Sequence, residues 1–228
     1  MKKCALVILV MVFSIAILSS WCLAQPVTNT SKEGSLLIWP KIITSDTTDT
    51  FIMINNSYPS SVNVKCYWEY KNTETGTPPY FRNGCVNYDF QFKLTANQPA
   101  VFSAKTGMHM WDESVQKSPP IAAFGWPGEG ILKCWAVDAD AQNQISWNYL
   151  KGEAFVMDYT AGSVWEYNAW RFAANPARGA AVGTGGRIEL SGTNGGYDAC
   201  PSYLVFDFLA DSPTNTSDLT LIPCKQDM

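Results

Sequence analysis

The sequence predicts an all-β chain, an antiparallel β-sandwich (loosely Ig-like) with long Gly/Pro-rich loops. Three observations carry that expectation. The first is composition: nine Trp, ten Tyr and eleven Phe stand against 16 % charged residues, and aromatic and β-branched side chains suit pleated, half-buried surfaces. The second is periodicity. Val86, Tyr88, Phe90, Phe92 and Leu94 alternate with Asn87, Asp89, Gln91 and Lys93, which is a strand with one dry and one wet face. The third is punctuation, because short apolar runs recur between Gly, Pro, Asn and Asp without intervening helical patterns.

Taken in order, strands are expected near Leu36–Ile43, Thr50–Tyr58, Ser61–Tyr70 and Val86–Leu94. More are expected near Ala100–Ala104, Ile131–Asp138, Ile145–Leu150 and Gly152–Tyr159, then near Arg187–Leu190, Tyr203–Leu209 and Leu219–Ile222. Tyr58-Pro59-Ser60 and Asp138-Ala139-Asp140 sit between strands, where these residue types favour turns. Ser163–Ala174 is the sole helix candidate, with Val164, Tyr167, Trp170 and Arg171 at helical spacing. Trp165, Tyr167, Ala169 and Arg171 fit a strand equally well. Asn175–Gly196 carries seven glycines and reads as a long mobile surface loop. It is also where a sub-boundary would fall if residues 36–228 held two small domains.

The N-terminus addresses the compartment. Lys2 and Lys3 precede an apolar run from Cys4 to Leu18, and Cys22 and Ala24 offer small residues before Gln25. This is the layout of a secretory signal peptide over residues 1–24, and the run is shorter than the ~20 residues that span a bilayer. Trp21 ahead of Cys22 argues against lipidation. The mature chain is thus expected to be secreted or periplasmic, with no membrane insertion after cleavage and a polar, flexible leader over residues 25–35. Lys2 and Lys3 leave with the signal, so 16 basic residues become 14 against 20 acidic ones, a net charge of −6. They are scattered, and nucleic acid or an anionic membrane surface would require a concentrated positive patch.

Five cysteines remain: Cys66, Cys85, Cys134, Cys200 and Cys224. Export makes disulfides the default. Choosing one odd thiol and pairing the other four in three ways allows fifteen arrangements. Cys66 with Cys85, across the hairpin of the third and fourth strands, is the expected pair. The odd count leaves one thiol free or linked between chains as a disulfide-linked oligomer. With a strand-like Leu219–Pro223 close to Met228, it also suggests an N-terminal portion of a longer protein.

Chemistry is sparse. His109 is the one histidine, flanked by Met108 and Met110, and a metal or nucleophilic site normally needs more than that. Asp112 and Glu113 could serve a glycan-active hydrolase, yet neighbours on a strand point to opposite faces. Asp138, Asp140 and Asn143 alternate like calcium ligands but depart from the EF-hand loop, with Asn143 where Gly is needed, so a polar hairpin turn is the better expectation. The Gly-rich stretch matches no phosphate or dinucleotide fingerprint. No metal or cofactor is expected. Aromatics are the remaining clue: Trp111, Trp126, Trp165 and Tyr167, with Trp170 nearby, are candidates to stack on sugar rings or anchor a protein.

Leu94-Thr95-Ala96-Asn97-Gln98-Pro99, Ile145-Ser146-Trp147-Asn148-Tyr149-Leu150 and Trp165-Glu166-Tyr167-Asn168-Ala169-Trp170 together resemble a group of secreted β-rich proteins of Gram-negative bacteria. The resemblance implies an exported bacterial protein and brings no activity or site residue with it. The functional expectation is an exported, non-catalytic binding or assembly protein of the bacterial envelope or exterior, with a protein or glycan partner. A carbohydrate-binding module using exposed Trp and Tyr is the alternative, and a glycan-active hydrolase comes third.

Overall fold

The computed structural model describes residues 27–72, 84–107, 128–183, 187–193, 195–203 and 219–222. Among these residues nine strands follow one another: β1 (Leu36–Thr44), β2 (Thr48–Asn56), β3 (Val62–Asn72), β4 (Gly84–Leu94), β5 (Pro99–Ser103), β6 (Gly128–Val137), β7 (Leu150–Asp158), β8 (Ser163–Asn168) and β9 (Trp170–Phe172). They form two antiparallel sheets, ordered β4-β3-β6-β1-β9 and β5-β2-β7-β8, packed as a β-sandwich. No described residue is helical, and no helix there is long and apolar enough to cross a membrane.

Period-two patterning builds the core. Leu37 and Trp39, Ile52 and Ile54, Val64, Cys66 and Trp68, and Phe90, Phe92 and Leu94 all point between the sheets. Phe102 of β5 meets Trp68, Phe90 and Phe92 edge-on, at centroid separations of 6.2–6.3 Å, an arrangement aromatic quadrupoles favour. A second apolar layer lies on the far side of the five-stranded sheet, where Leu36, Ile38, Trp135, Val137 and Phe172 pack with Val182 and Tyr197.

That second layer corrects the reading of Asn175–Gly196 as a loose loop. Its backbone is tied down by Asn175 N–H to Gly196 O, Gly183 N–H to Gly195 O and Tyr197 N–H to Glu189 O. Tyr197 is fully buried, and its hydroxyl donates to Gln144 Oε1 at 2.9 Å. The leader is likewise not slack over its described part. Asn29 pairs with Arg171, and the N–H of Thr28 reaches Ala199 O. Gly34 is pinched so closely that a Cβ there would lie 2.8 Å from Phe172 O. Arg171 completes the clasp through a buried ion pair, Nη1 to Asp198 Oδ2 at 2.6 Å.

Other expectations shift. Ser163–Ala174 is strand: Trp165 and Tyr167 pair opposite Val156 and Ala154, and Ala169 turns the chain from β8 to β9. Ile145–Leu150 is mostly a corner rather than a strand, because its backbone N–H groups go to scattered acceptors, Ile145 to Ala136 O, Ser146 to Ala180 O and Leu150 to Gly34 O, instead of to one ladder. Trp147 N–H donates to Ser35 Oγ at 2.6 Å, and Asn148 receives Ala174 N–H at 2.7 Å. Arg187–Leu190 and Leu219–Ile222 run irregularly, and of Tyr203–Leu209 only Tyr203 is described.

The disulfide prediction is overturned. Cys66 bonds Cys134 of β6, directly opposite it at a Cα separation of 4.1 Å. The β3–β4 register sets Cys66 against Phe90 and Cys85 against Lys71. Five residues of offset, at ~3.4 Å each, place Cys85 about 17 Å along the hairpin from the expected partner. Cys200 is also disulfide-bonded. Cys224 and the side chain of Cys85 lie outside the described residues, as does the segment read as a signal peptide.

Candidate functional site: an aromatic groove at the open edge of the sandwich

The site begins with an irregularity in β1. Trp39 pairs with Leu132 and Ile42 with Gly130, so β1 carries one extra residue in a bulge at Pro40–Lys41. Proline has no N–H to give a ladder, and bulges are where sheets tolerate it. On its other side β1 is paired with β9 only over Leu36–Ile38. Beyond Ile38 no described strand pairs with that edge of the sheet.

β8 closes the gap from the opposite sheet. It is the last strand of that sheet, and Trp165 and Tyr167 share its core-facing side because they oppose Val156 and Ala154, both buried. The two rings stack, with centroids 5.5 Å apart and planes 27° off parallel. The Tyr167 hydroxyl donates to the carbonyl of Lys41 in the bulge, joining one sheet to the other. Burial holds that phenol well above its ordinary range, so it stays neutral and serves as a donor. Trp165, at the rim, remains 43 % exposed.

Between these edges lies an open groove of about 560 Å³, inside the roughly 300–1,000 Å³ span of small-molecule sites. Trp165, Tyr167 and Trp170 supply its aromatic lining. Thr30, Lys41, Asn168 and Thr220 supply polar groups, and Pro40 and Leu219 complete it. Lys41 Nζ lies 4.0 Å from Glu129 Oε1. The chain matches no protein-family model, and neither the curated proteins nor the solved structures contain a match for it.

Two of the four aromatic candidates, Trp165 and Tyr167, therefore meet at one site. Trp111 and Trp126 lie outside the described residues, as do His109, Asp112 and Glu113. Lys41, Thr30, Asn168, Leu219 and Thr220 were not singled out from sequence. Apart from Asn168, they reach the groove from distant parts of the chain with no local signature. The weak calcium candidates resolve into turn chemistry. Asp138 Oδ1 accepts the N–H groups of Gln142 and Asn143 at 2.9 and 3.3 Å, and Oδ2 accepts Asn143 Nδ2 at 2.7 Å. The Asn143 amide foremost among these holds the Asp138 carboxyl below its usual range. Asp140 offers its backbone oxygen to Gln142 Nε2. Among the described residues no cluster of three His, Cys, Asp or Glu is placed to hold a metal.

Proposed function

We propose that this chain is an exported, non-catalytic binding module of the bacterial envelope or exterior, and that its ligand sits in the groove between β8 and the bulge of β1. The observation that carries the reading is the groove itself. A partly exposed, stacked aromatic pair, fixed by a hydrogen bond between sheets and bordered by polar groups, is the form that ligand sites take on rigid scaffolds. The Cys66–Cys134 disulfide and the bonded Cys200 support residence in an oxidising compartment, since thiols are kept reduced in the cytosol.

The test uses the full chain, exported from a Gram-negative host and mixed with isolated cell envelopes. Wild-type protein is expected to sediment with the envelopes, and Trp165→Ala to stay in the supernatant. Wild-type protein that stays in the supernatant overturns the reading, as does equal sedimentation of the two.

A further inference from the structure

We propose that the ligand class of this groove is a glycan, with a hexopyranose ring lying on Trp165 and its hydroxyls met by Asn168, Thr220 and Lys41. The inference rests on the preceding reading of the groove as the binding surface and names what fills it.

The chemistry argues from each wall. A pyranose has an apolar face of C–H groups and a rim of hydroxyls, so it needs a flat apolar surface beside donors and acceptors. Trp165 is such a surface. Its indole rests against Tyr167 and is 43 % exposed at the groove. The platform is also pre-set, because the Tyr167 hydroxyl is committed to the Lys41 carbonyl. The ring beneath Trp165 therefore does not have to be ordered when a ligand arrives, and pre-ordering of this kind is where affinity for small ligands is gained.

The polar groups fit the same ligand. Asn168, at the end of β8, carries both a donor and an acceptor; Thr220 carries a hydroxyl that can act either way; Lys41 carries donors only. Sugar hydroxyls can satisfy all three kinds at once. An acyl chain would gain nothing from these polar groups and would favour a closed apolar cavity over an open one. A polyanion would require several cations, whereas Lys41 is the sole cationic residue among the described residues lining the groove, with Glu129 at 4.0 Å from its ammonium. Trp170 on β9 faces the groove from the other sheet. A second ring of an oligosaccharide would meet it, which assigns the site to a short chain of sugars rather than to a single free hexose.

The experiment titrates the exported, disulfide-intact protein with a defined panel, read by tryptophan fluorescence and calorimetry. The panel holds uncharged chitin-derived, β-glucan and mannan oligosaccharides. At least one is expected to bind at millimolar concentration or tighter. Trp165→Ala should weaken it about tenfold or more, while Trp165→Phe, which keeps a flat ring, retains part of the affinity. Asn168→Ala, at an exposed position on the terminal strand, should weaken binding without changing the urea midpoint, so the test does not depend on the tryptophan variant folding.

A panel silent to millimolar concentration, while envelope sedimentation still depends on Trp165, overturns the glycan class and leaves the groove as the site of a protein partner. A glycan bound equally by wild type, Trp165→Ala and Asn168→Ala overturns the groove itself.

Discussion

Gly152 of β7 lies directly against Trp39 of the facing sheet, and replacing it with alanine should be among the most damaging single-methyl changes in this protein. A Cβ on Gly152 would lie 2.2 Å from Cζ2 of Trp39, with Cε2 and Cη2 of the same ring at 2.9 and 3.0 Å. To regain an ordinary ~3.5 Å contact, the indole must retreat by more than about 1 Å. It has nowhere to go, since Trp39 is fully buried in the inter-sheet core. It is also tethered, because its Nε1–H donates to Glu153 O at 3.0 Å, and such a shift would break that bond. Overpacking costs about 1–3 kcal/mol and the orphaned indole N–H another ~1–3, so Gly152→Ala should lose about 2–6 kcal/mol. That is a large part of a typical domain's ~5–15 kcal/mol. Urea unfolding of the disulfide-intact protein reads the loss. Trp39→Phe, which removes the fused part of the ring, should cost stability alone yet cost less when Gly152→Ala is already present. A double-mutant cycle measures that coupling. A loss below about 1 kcal/mol for Gly152→Ala, or additive effects in the cycle, would refute the notch-and-wedge account.

Removing both sulfurs with Cys66→Ala and Cys134→Ala opens a crosslink between positions 68 residues apart. On the chain-entropy account the loss is about 4 kcal/mol; unfolding midpoints that match those of the oxidised parent would contradict it. Tyr167→Phe should lower stability by about 1 kcal/mol by unhooking β8 from the β1 bulge; an unchanged urea midpoint would mean that the hydroxyl does not link the sheets. Asp49 gives the pH dependence. Burial pushes its carboxyl above the ordinary carboxylate range, against the Ser103 hydroxyl at 2.5 Å and the Lys105 N–H at 3.0 Å, which favour the anion. The folded state then holds that proton more tightly than the unfolded chain. The resulting stability is present below about pH 4, the unfolded value, and is lost as pH rises through the raised folded value. Asp49→Asn should remove this component, so the stability difference between variant and parent should shift in the variant's favour from pH 4 to pH 7. A constant difference over that range would count against a raised Asp49.

Most of the sandwich was legible because strands with one dry face declare themselves. Val86–Leu94 needed only period two, and it became β4. The same parity put Trp165 and Tyr167 on one face of Ser163–Asn168, which is why half of the aromatic candidates converge on the groove. What could not be read depends on partners far away in sequence. Cys66 gave no hint of Cys134, since their contact depends on β3 lying between β4 and β6. The Gly-rich stretch looked loose because its ties are backbone hydrogen bonds, which leave no trace in side-chain patterning. Ile145–Leu150 misled for a related reason: its apolar alternation is that of a corner plugged into the core by Trp147, and the bonds holding it run to distant residues, among them Gly34, Ser35, Asn56, Ala136 and Ala180. The groove's polar side was hidden likewise, with Thr30, Lys41 and Thr220 assembled by topology alone.

The position of the Cys66–Cys134 bond has a consequence for how the chain finds its alignment. β3 meets β4 as a local hairpin, but its pairing with β6 joins segments more than sixty residues apart, the slow kind of contact to search for. A slip of two residues would keep every side chain on its proper face and so escape the hydrophobic penalty that rejects a slip of one. It would, however, set Cys66 against Leu132 or Ala136 instead of Cys134, and no bond could form. Oxidation thus acts as a ruler laid across the two strands, sealing only the alignment that β6 must then pass on to β1, to its bulge, and so to the wall of the groove.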